Sequence, residues 1–481
     1  MDGTPEAMDT LEKFFETAES GRLFTEGTPE RLRRWREEAS AALTRLLVWD
    51  RPALEGGRGI AWPYEVLTRL APEFRKLEAG GSPHAKQARL FLALLPFPGQ
   101  WRYLDRAARE NADDPEVSAF IRRERDNIQR KLAKKRQKTF KLRHFCQILK
   151  APKLPGEKGI LRIFSIPYLF TVPGLLPLLD KHYFLYIEPA AGVVYRHTWM
   201  RHFARLSDPV LFGLSGKEDA AFHDSQEKIL TTHLAHGDYL DPAPEPLPRG
   251  EIRHDIVFNA TFDEMERKRH HFMLELLGHP ELYGRTALFL GRGDEEKVAG
   301  FRRDVERAGL SDRVTVLANI KRGEVPVHLS RCRIGVHLAL HENGCRCVYE
   351  FFRENLPVVV SSSMAGINFA TINGQTGRAA SDPDLPRAIR ETLEAPERHS
   401  PRRWFLSNSG SIHASAELGE LLKGIFHRLG YGWSEDIAPL TSSGANRYLH
   451  AEDYARFKPA YRELYALMTG LPSLPIRLAE E

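Results

Sequence analysis

Residues 334–361 read IGVHLALHENGCRCVYEFFRENLPVVVS, and the fold turns on this stretch. The apolar run 334–340 does not alternate with polar residues, as expected of a strand buried on both faces. A polar loop, 341–344, closes it. Residues 345–354 then place Val348, Phe351 and Phe352 at helical spacing. A second apolar run, 356–361, follows. Strand, helix and strand in that order make a parallel crossover unit.

The same texture extends outward on both sides. Strands are expected at 252–259, 286–291 and 314–319, and helices at 263–277, 295–308, 325–331 and 385–393. Strict alternation of this kind predicts a parallel sheet covered by helices on both faces, with ligands at the carboxyl ends of the strands. Upstream, 160–166, 183–187, 210–214 and 229–234 read as strands of a second α/β unit. Two proline-rich stretches, APKLPGEKG (151–159) and DPAPEPLPRG (241–250), read as linkers. Residues 1–144 and 396–481 read as helical. The expected division is a helical extension (1–150), a first Rossmann-like domain (151–250), a second (251–395) and a C-terminal helical segment (396–481).

Composition excludes several classes. The 481 residues are 42% hydrophobic and 28% charged, which rules out collagen-like, disulfide-stapled and mainly disordered chains. Four cysteines fit a reducing compartment. The start, MDGTPEAMDT, lacks the basic and apolar regions of a signal peptide. Residues 163–179 carry no charge, but Pro167, Pro173 and Pro177 argue against a membrane helix. They predict instead a strand end, a loop and a short helix opening near Pro173. The expectation is a cytoplasmic protein. Residues 122–143 hold eleven Lys or Arg against Glu124 and Asp126, a net of +9 within a chain of net +5. This run reads either as a solvated helix face or as a patch for anionic lipid headgroups at the inner membrane face. No nucleic-acid-binding motif accompanies it.

The loop His341-Glu342-Asn343-Gly344-Cys345-Arg346 and the helix carrying Glu350 should lie at the functional edge. Two carboxylates eight residues apart, on loop and helix, can face one cleft. Gly344 permits close backbone approach, and the free N–H groups of Gly344, Cys345 and Arg346 make an anion pocket. Phosphate with carboxylates beside it describes a nucleotide-sugar site. The plainer reading makes Glu342 a helix cap and Glu350 a surface residue.

The segment from about 255 to 393 resembles the carboxyl-terminal half of retaining GT-B glycosyltransferases of glycosyltransferase family 4. The resemblance rests on 290–294 (LGRGD), 308–317 (AGLSDRVTVL), Glu342-x7-Glu350, 355–359 (NLPVV), Ala365-Gly366 and 373–377 (NGQTG), in that family's order. It implies a GT-B-like fold with two Rossmann-like domains facing a cleft. It implies sugar transfer from a nucleotide-diphosphate sugar to a glycan or glycolipid acceptor, without a metal or other cofactor. By position, Glu350 would accept from the ribose hydroxyls and Glu342 would hold the donor sugar. Lys268 would neutralise the diphosphate. Asn319 and Ile320 would meet the base, and Ala365 and Gly366 would form the small-residue loop. The family's usual arginine falls here on Ala260 or Thr261, which leaves Arg267 or Arg346 to replace it. Glu188 or His197 would lie on the acceptor side.

Two other readings use the same residues. His328, Cys332, His337, His341, Cys345 and Cys347 crowd into twenty residues and suggest zinc. Against that, the spacing matches no common zinc motif, and helical geometry would turn Cys345 and Cys347 apart. No metal is therefore expected. The substitutions Ala260, Asn343 and Cys345 in the motifs also suit a catalytically inactive sugar-nucleotide-binding protein or scaffold.

Overall fold

A strand with apolar residues on both faces needs cover on both faces, and two sheets meet that demand. The protein is represented by a computed structural model. It describes residues 141–164, 174–189, 205–224, 228–242, 251–443 and 447–471, with isolated positions from 109 to 140, Phe203 and 476–477. The chain divides into two units, 1–140 with 193–201 and 475–477, and the remainder. The fold described below lies in the second unit.

The first sheet holds β1 (Cys146–Lys150), β2 (Gly159–Ile163), β3 (Tyr183–Ile187), β4 (Val210–Gly213) and β5 (Ile229–Thr232), in that spatial order. β1 runs antiparallel to β2, and the other neighbours are parallel. Two crossover helices, α1 (Leu175–His182) and α2 (Lys217–Asp224), join β2 to β3 and β4 to β5. The boundary expected at 150/151 needs correction. β1 belongs to this sheet, and 151–158 is the hairpin connection between β1 and β2, bridged at Lys153 and Glu157. The strand was hidden because Gln147 and Lys150 sit in it. Both are buried and partnered, Gln147 Nε2 donating to Arg447 O at 2.7 Å and Lys150 pairing with Glu157. The strand expected at 160–166 ends at Ile163, and the helix expected near Pro173 opens at Leu175.

The second sheet contains β6 (His254–Asn259), β7 (Ala287–Gly291), β8 (Val314–Ala318), β9 (Cys332–His337), β10 (Val358–Ser361) and β11 (Gly377–Ala380). Its order is β11-β10-β9-β6-β7-β8 and every pair is parallel. The helices are α3 (Met265–Lys268), α4 (His270–Leu277), α5 (Glu295–Arg307), α6 (Val325–Leu329), α7 (Arg346–Arg353) and α8 (Leu385–Glu394). Ile256 and Phe258 face a core with Met273, Phe301 and Ile389, whereas Val257 faces the opposite core with Val348, Phe351 and Phe352. β11 escaped the sequence reading because its four residues, GRAA, carry little apolar signal. The helix expected over 263–277 is broken at Arg269, which adopts a left-handed conformation (φ 62°).

The C-terminal helices are α9 (Pro401–Asn408), α10 (Gly410–Leu429) and α11 (Ala451–Met468). They are not a simple appendage. Phe405 of α9 packs in the second domain, and Leu418, Leu422 and Phe426 of α10 share a core with Leu149, Phe184 and Leu211 of the first sheet. The observed architecture is thus two Rossmann-like α/β domains, with β6 and β9 flanking the point where strand order reverses. Such a reversal opens a crevice at the strands' carboxyl ends. Among the described residues, no helix is long and apolar enough to cross a membrane. Residues 122–139 of the basic run fall outside the described residues except for isolated positions, and so do 165–173 and 243–250.

Candidate functional site

A cleft of about 880 Å³ opens at that reversal, bordered by side chains from both sheets. Asn259 ends β6 and Lys268 ends α3. Glu342 and Gly344 lie in the loop after β9, and Glu350 lies one turn into α7. Glu188, just beyond β3, and His236 border the cleft from the first domain. Both carboxylates of the 342/350 pair therefore border one cavity.

Glu342 is 7% exposed and surrounded by cations. Lys268 Nζ pairs with its Oε1, Arg267 Nη1 lies 3.3 Å from the same oxygen, and His337 Nε2 lies at 3.3 Å. Burial opposes its ionisation, but the His337 hydrogen bond and the Lys268 charge outweigh burial and hold the carboxyl well below its usual range. Burial likewise works against the Lys268 charge, and Glu342 reverses the effect, so the lysine titrates above its ordinary value. Glu342 is consequently an ionised group at neutral pH and a poor proton donor.

The backbone around Glu342 is clamped. Its N–H donates to Ala365 O at 2.9 Å, and Ala365 N–H donates to Leu340 O at 3.0 Å. Gly366 has φ +75°, and a Cβ there would fall 1.7 Å from Glu342 O. Ala365 and Gly366, expected at the donor, instead support the Glu342 backbone and do not border the cleft. Gly344 (φ +61°) lies against the first domain, where a Cβ would meet His236 N at 2.7 Å. Asn343 fastens the same loop to that domain. Its Nδ2 donates to Pro189 O (2.7 Å) and Gly213 O (3.2 Å), and its Oδ1 accepts from Ser215 N (3.0 Å).

Glu350 accepts from Asn259 Nδ2 at 3.2 Å and pairs with Arg346 Nε at 2.9 Å. Arg267 and Arg346 therefore serve different carboxylates, one at Glu342 and one at Glu350. Ile320 borders the cleft, whereas Asn319 is exposed and hydrogen-bonds Gly293 N and O at 3.0 Å each. The side chain of Asn319 thus holds a loop and does not reach the cavity. Glu188 is buried against Arg162, at 2.6 Å, and accepts from Tyr186 Oη at 3.1 Å. His197 lies outside the described residues.

Three cleft residues were missed in the sequence. Arg322 follows β8, and its Nη2 donates to Ser442 O at 2.9 Å. Arg447 comes from the C-terminal segment and stacks on Phe164 at 3.5 Å. Burial, then repulsion by Arg162, lowers Arg447 to about 10; burial and Arg346 lower Arg322. Cations that depress one another favour an anionic ligand between them. Chain separation hid Arg447, since no local pattern links it to a strand end some 200 residues away. Asn259 was legible as a strand terminus without being recognised as a site residue.

The sequence cluster of His and Cys splits in space. Cys332 Sγ donates to His328 O at 3.3 Å, and His341 Nε2 lies 3.4 Å from Asp219. His337, Cys345 and Cys347 come together, their ligating atoms all within 4.8 Å of one another. The expectation that Cys345 and Cys347 point apart is corrected, because their sulfurs are 3.2 Å apart. Cys345 is the residue before α7, with φ −57° and ψ 90°, so the helical rotation assumed between them does not apply.

Residues 254–404 match the model of the family described as glycosyl transferases group 1. No curated protein matches the chain. Among solved structures it is similar to the pneumococcal O-GlcNAc transferase GtfA in complex with UDP and GlcNAc, at 13% identity and TM-score 0.39, over 52% of this chain and 53% of that one. The chain thus spans about half the length of that enzyme. It is also similar to the lipopolysaccharide outer core galactosyltransferase WaaB (11%, TM-score 0.41, 55% and 75% covered). Another such structure is Anabaena Alr3699/HepE with UDP and glucose (14%, TM-score 0.43, 55% and 78% covered).

Proposed function

We propose that this chain is a retaining glycosyltransferase that moves a sugar from a nucleoside-diphosphate sugar to an acceptor hydroxyl in polysaccharide or glycolipid assembly. The observation that carries the reading is the pairing of Glu342 and Glu350 around one cleft at the strand-order reversal, with Lys268 against Glu342. The family match over 254–404 supports the transferase class.

In this reading the diphosphate lies against Lys268 and the N–H groups at the start of α7, with Arg322 and Arg447 adding positive potential. Preorganised donors of this kind stabilise a leaving group as its charge develops, and no catalytic metal is required. Glu350 accepts from the ribose hydroxyls. Ionised Glu342 holds the donor sugar and favours positive charge growing at the anomeric carbon. The departing phosphate takes the acceptor proton on the same face, which preserves the anomeric configuration. Ile320 and the main chain at Asn319 meet the base, and Glu188 borders the acceptor half.

The test is nucleoside-diphosphate release with UDP-, GDP- and ADP-sugars, preceded by a thermal-shift screen of the same compounds. A true donor raises the unfolding midpoint because it binds the native state. Release that depends on donor and acceptor supports the reading. A flat thermal response with no release rejects it. Stabilisation without release identifies a sugar-nucleotide-binding scaffold instead.

A further inference from the structure

The proposed transfer uses the backbone of Cys345 but not its sulfur, and it uses neither Cys347 nor His337. These three side chains nevertheless converge. His337 ends β9 and is fully buried, Cys345 precedes α7, and Cys347 lies in its first turn. Cys347 Sγ is 3.2 Å from His337 Nδ1 and 3.2 Å from Cys345 Sγ.

We propose that His337 Nδ1, Cys345 Sγ and Cys347 Sγ bind a thiophilic divalent cation of the zinc type, with its fourth coordination position turned to the cleft. Two thiolates and an imidazole are a donor set suited to zinc. Tetrahedral Zn–S arms of about 2.3 Å set two sulfurs about 3.8 Å apart. The observed separation is therefore short by roughly half an ångström, a gap that small side-chain rotations close.

The surroundings fit the same ion. Glu342 Oε1 lies 3.3 Å from His337 Nε2. A carboxylate accepting the Nε2 proton leaves the Nδ1 lone pair facing the sulfurs, the usual outer partner of a metal-binding histidine. Binding forms two Zn–S bonds and one Zn–N bond and releases two protons to solvent. A divalent cation replacing two protons leaves the local charge unchanged, so Lys268 and Arg267 at Glu342 are no added obstacle. Cys345 and Cys347 both border the cleft, which provides a route for the ion. Once bound, it joins the end of β9 to the start of α7 across the loop that carries Glu342.

The experiment uses the full chain, reduced and stripped of metal, equilibrated with zinc chloride and freed of excess by gel filtration. One equivalent of zinc should be retained. Cobalt(II) should give a sulfur-to-metal charge-transfer band in the near ultraviolet. Cys345→Ser and Cys347→Ser should lose both signals, while Cys146→Ser and Cys332→Ser keep them. Glu342→Gln should weaken zinc about 10- to 100-fold through His337. Failure of the reduced wild-type chain to retain zinc overturns the proposal, as does full retention by the Cys345→Ser/Cys347→Ser double variant. If the serine variants do not fold, alkylation of the wild-type chain decides the matter. Zinc should slow iodoacetamide labelling of Cys345 and Cys347, and equal rates with and without zinc overturn the site. None of these readouts depends on a sugar donor.

Discussion

Lys268 at the end of α3 and Glu342 after β9, 74 residues apart in the chain, form an ion pair at the mouth of the crevice between β6 and β9. Lys268 is only 9% exposed. A lysine so placed has two duties, compensating a buried carboxylate and presenting positive charge to the cleft. Lys268→Ala should lower the turnover number about 100- to 1000-fold, the usual loss on removing one donor to a developing anion. Breaking a buried pair costs about 3–5 kcal/mol, and the remaining contacts of Glu342 to Arg267 and His337 put this variant at the lower end. Steady-state kinetics and urea denaturation measure the two effects separately.

Glu350 should act on donor affinity more than on turnover. A hydrogen bond to a charged group contributes about 1.5–3 kcal/mol, so Glu350→Ala should raise the donor KM about 10- to 100-fold with a smaller change in kcat. An equal fall in kcat with unchanged KM would move Glu350 out of the ribose role.

Gly366 offers a steric test with an internal control. At φ +75°, with Glu342 O where a Cβ would stand, Gly366→Ala must shift the Glu342 backbone. Both activity and midpoint should fall. Gly374, which lies further along the same connection between β10 and β11, has nothing within 4 Å of its virtual Cβ, and Gly374→Ala should leave both within error. Parallel thermal melts and assays compare them.

Asp238 and Tyr349 give a pH signature at the junction between the two domains. The Tyr349 hydroxyl donates to Asp238 Oδ1 at 2.7 Å, and Ala235 N–H donates to Oδ2 at 2.9 Å. Burial raises the Asp238 carboxyl to about 6. The folded state therefore holds this proton more tightly than the unfolded chain. Its contribution to stability is complete below the ordinary carboxyl value of 3.8 and is lost as pH rises through about 6. Tyr349→Phe removes a donor to the ionised form, so its stability deficit should be larger at pH 8 than at pH 5. Urea midpoints at both values read the difference. A deficit independent of pH would separate the tyrosine from the titration.

Much of the second domain was legible because its signals are local. The apolar stretches that became β6 to β10 lack alternation, and their helices carry apolar stripes. Those two periods predict a parallel sheet before any contact is known. The paired glutamates were legible for the same reason, since a strand end and the following helix start are neighbours in sequence. β1 was not legible, because Gln147 and Lys150 read as polar until Arg447 and Glu157 are found beside them. Nor was the break at Arg269, where a left-handed residue ends α3 within an otherwise continuous helical pattern.

Sequence alone determined the alternation of strands and helices, the parallel sheet of the second domain and the edge at which its cleft opens. Each follows from side-chain periodicity over a few residues. Tertiary structure decided which cations reach Glu342, that Glu188 is held by Arg162, that α10 returns to the first sheet, and that Cys345 and Cys347 meet at His337. Those outcomes depend on which distant segments bury one another, and in the case of Cys345 on one non-helical residue ahead of α7. Burial acts through space and takes no account of separation along the chain, so short-range patterns carry no record of it.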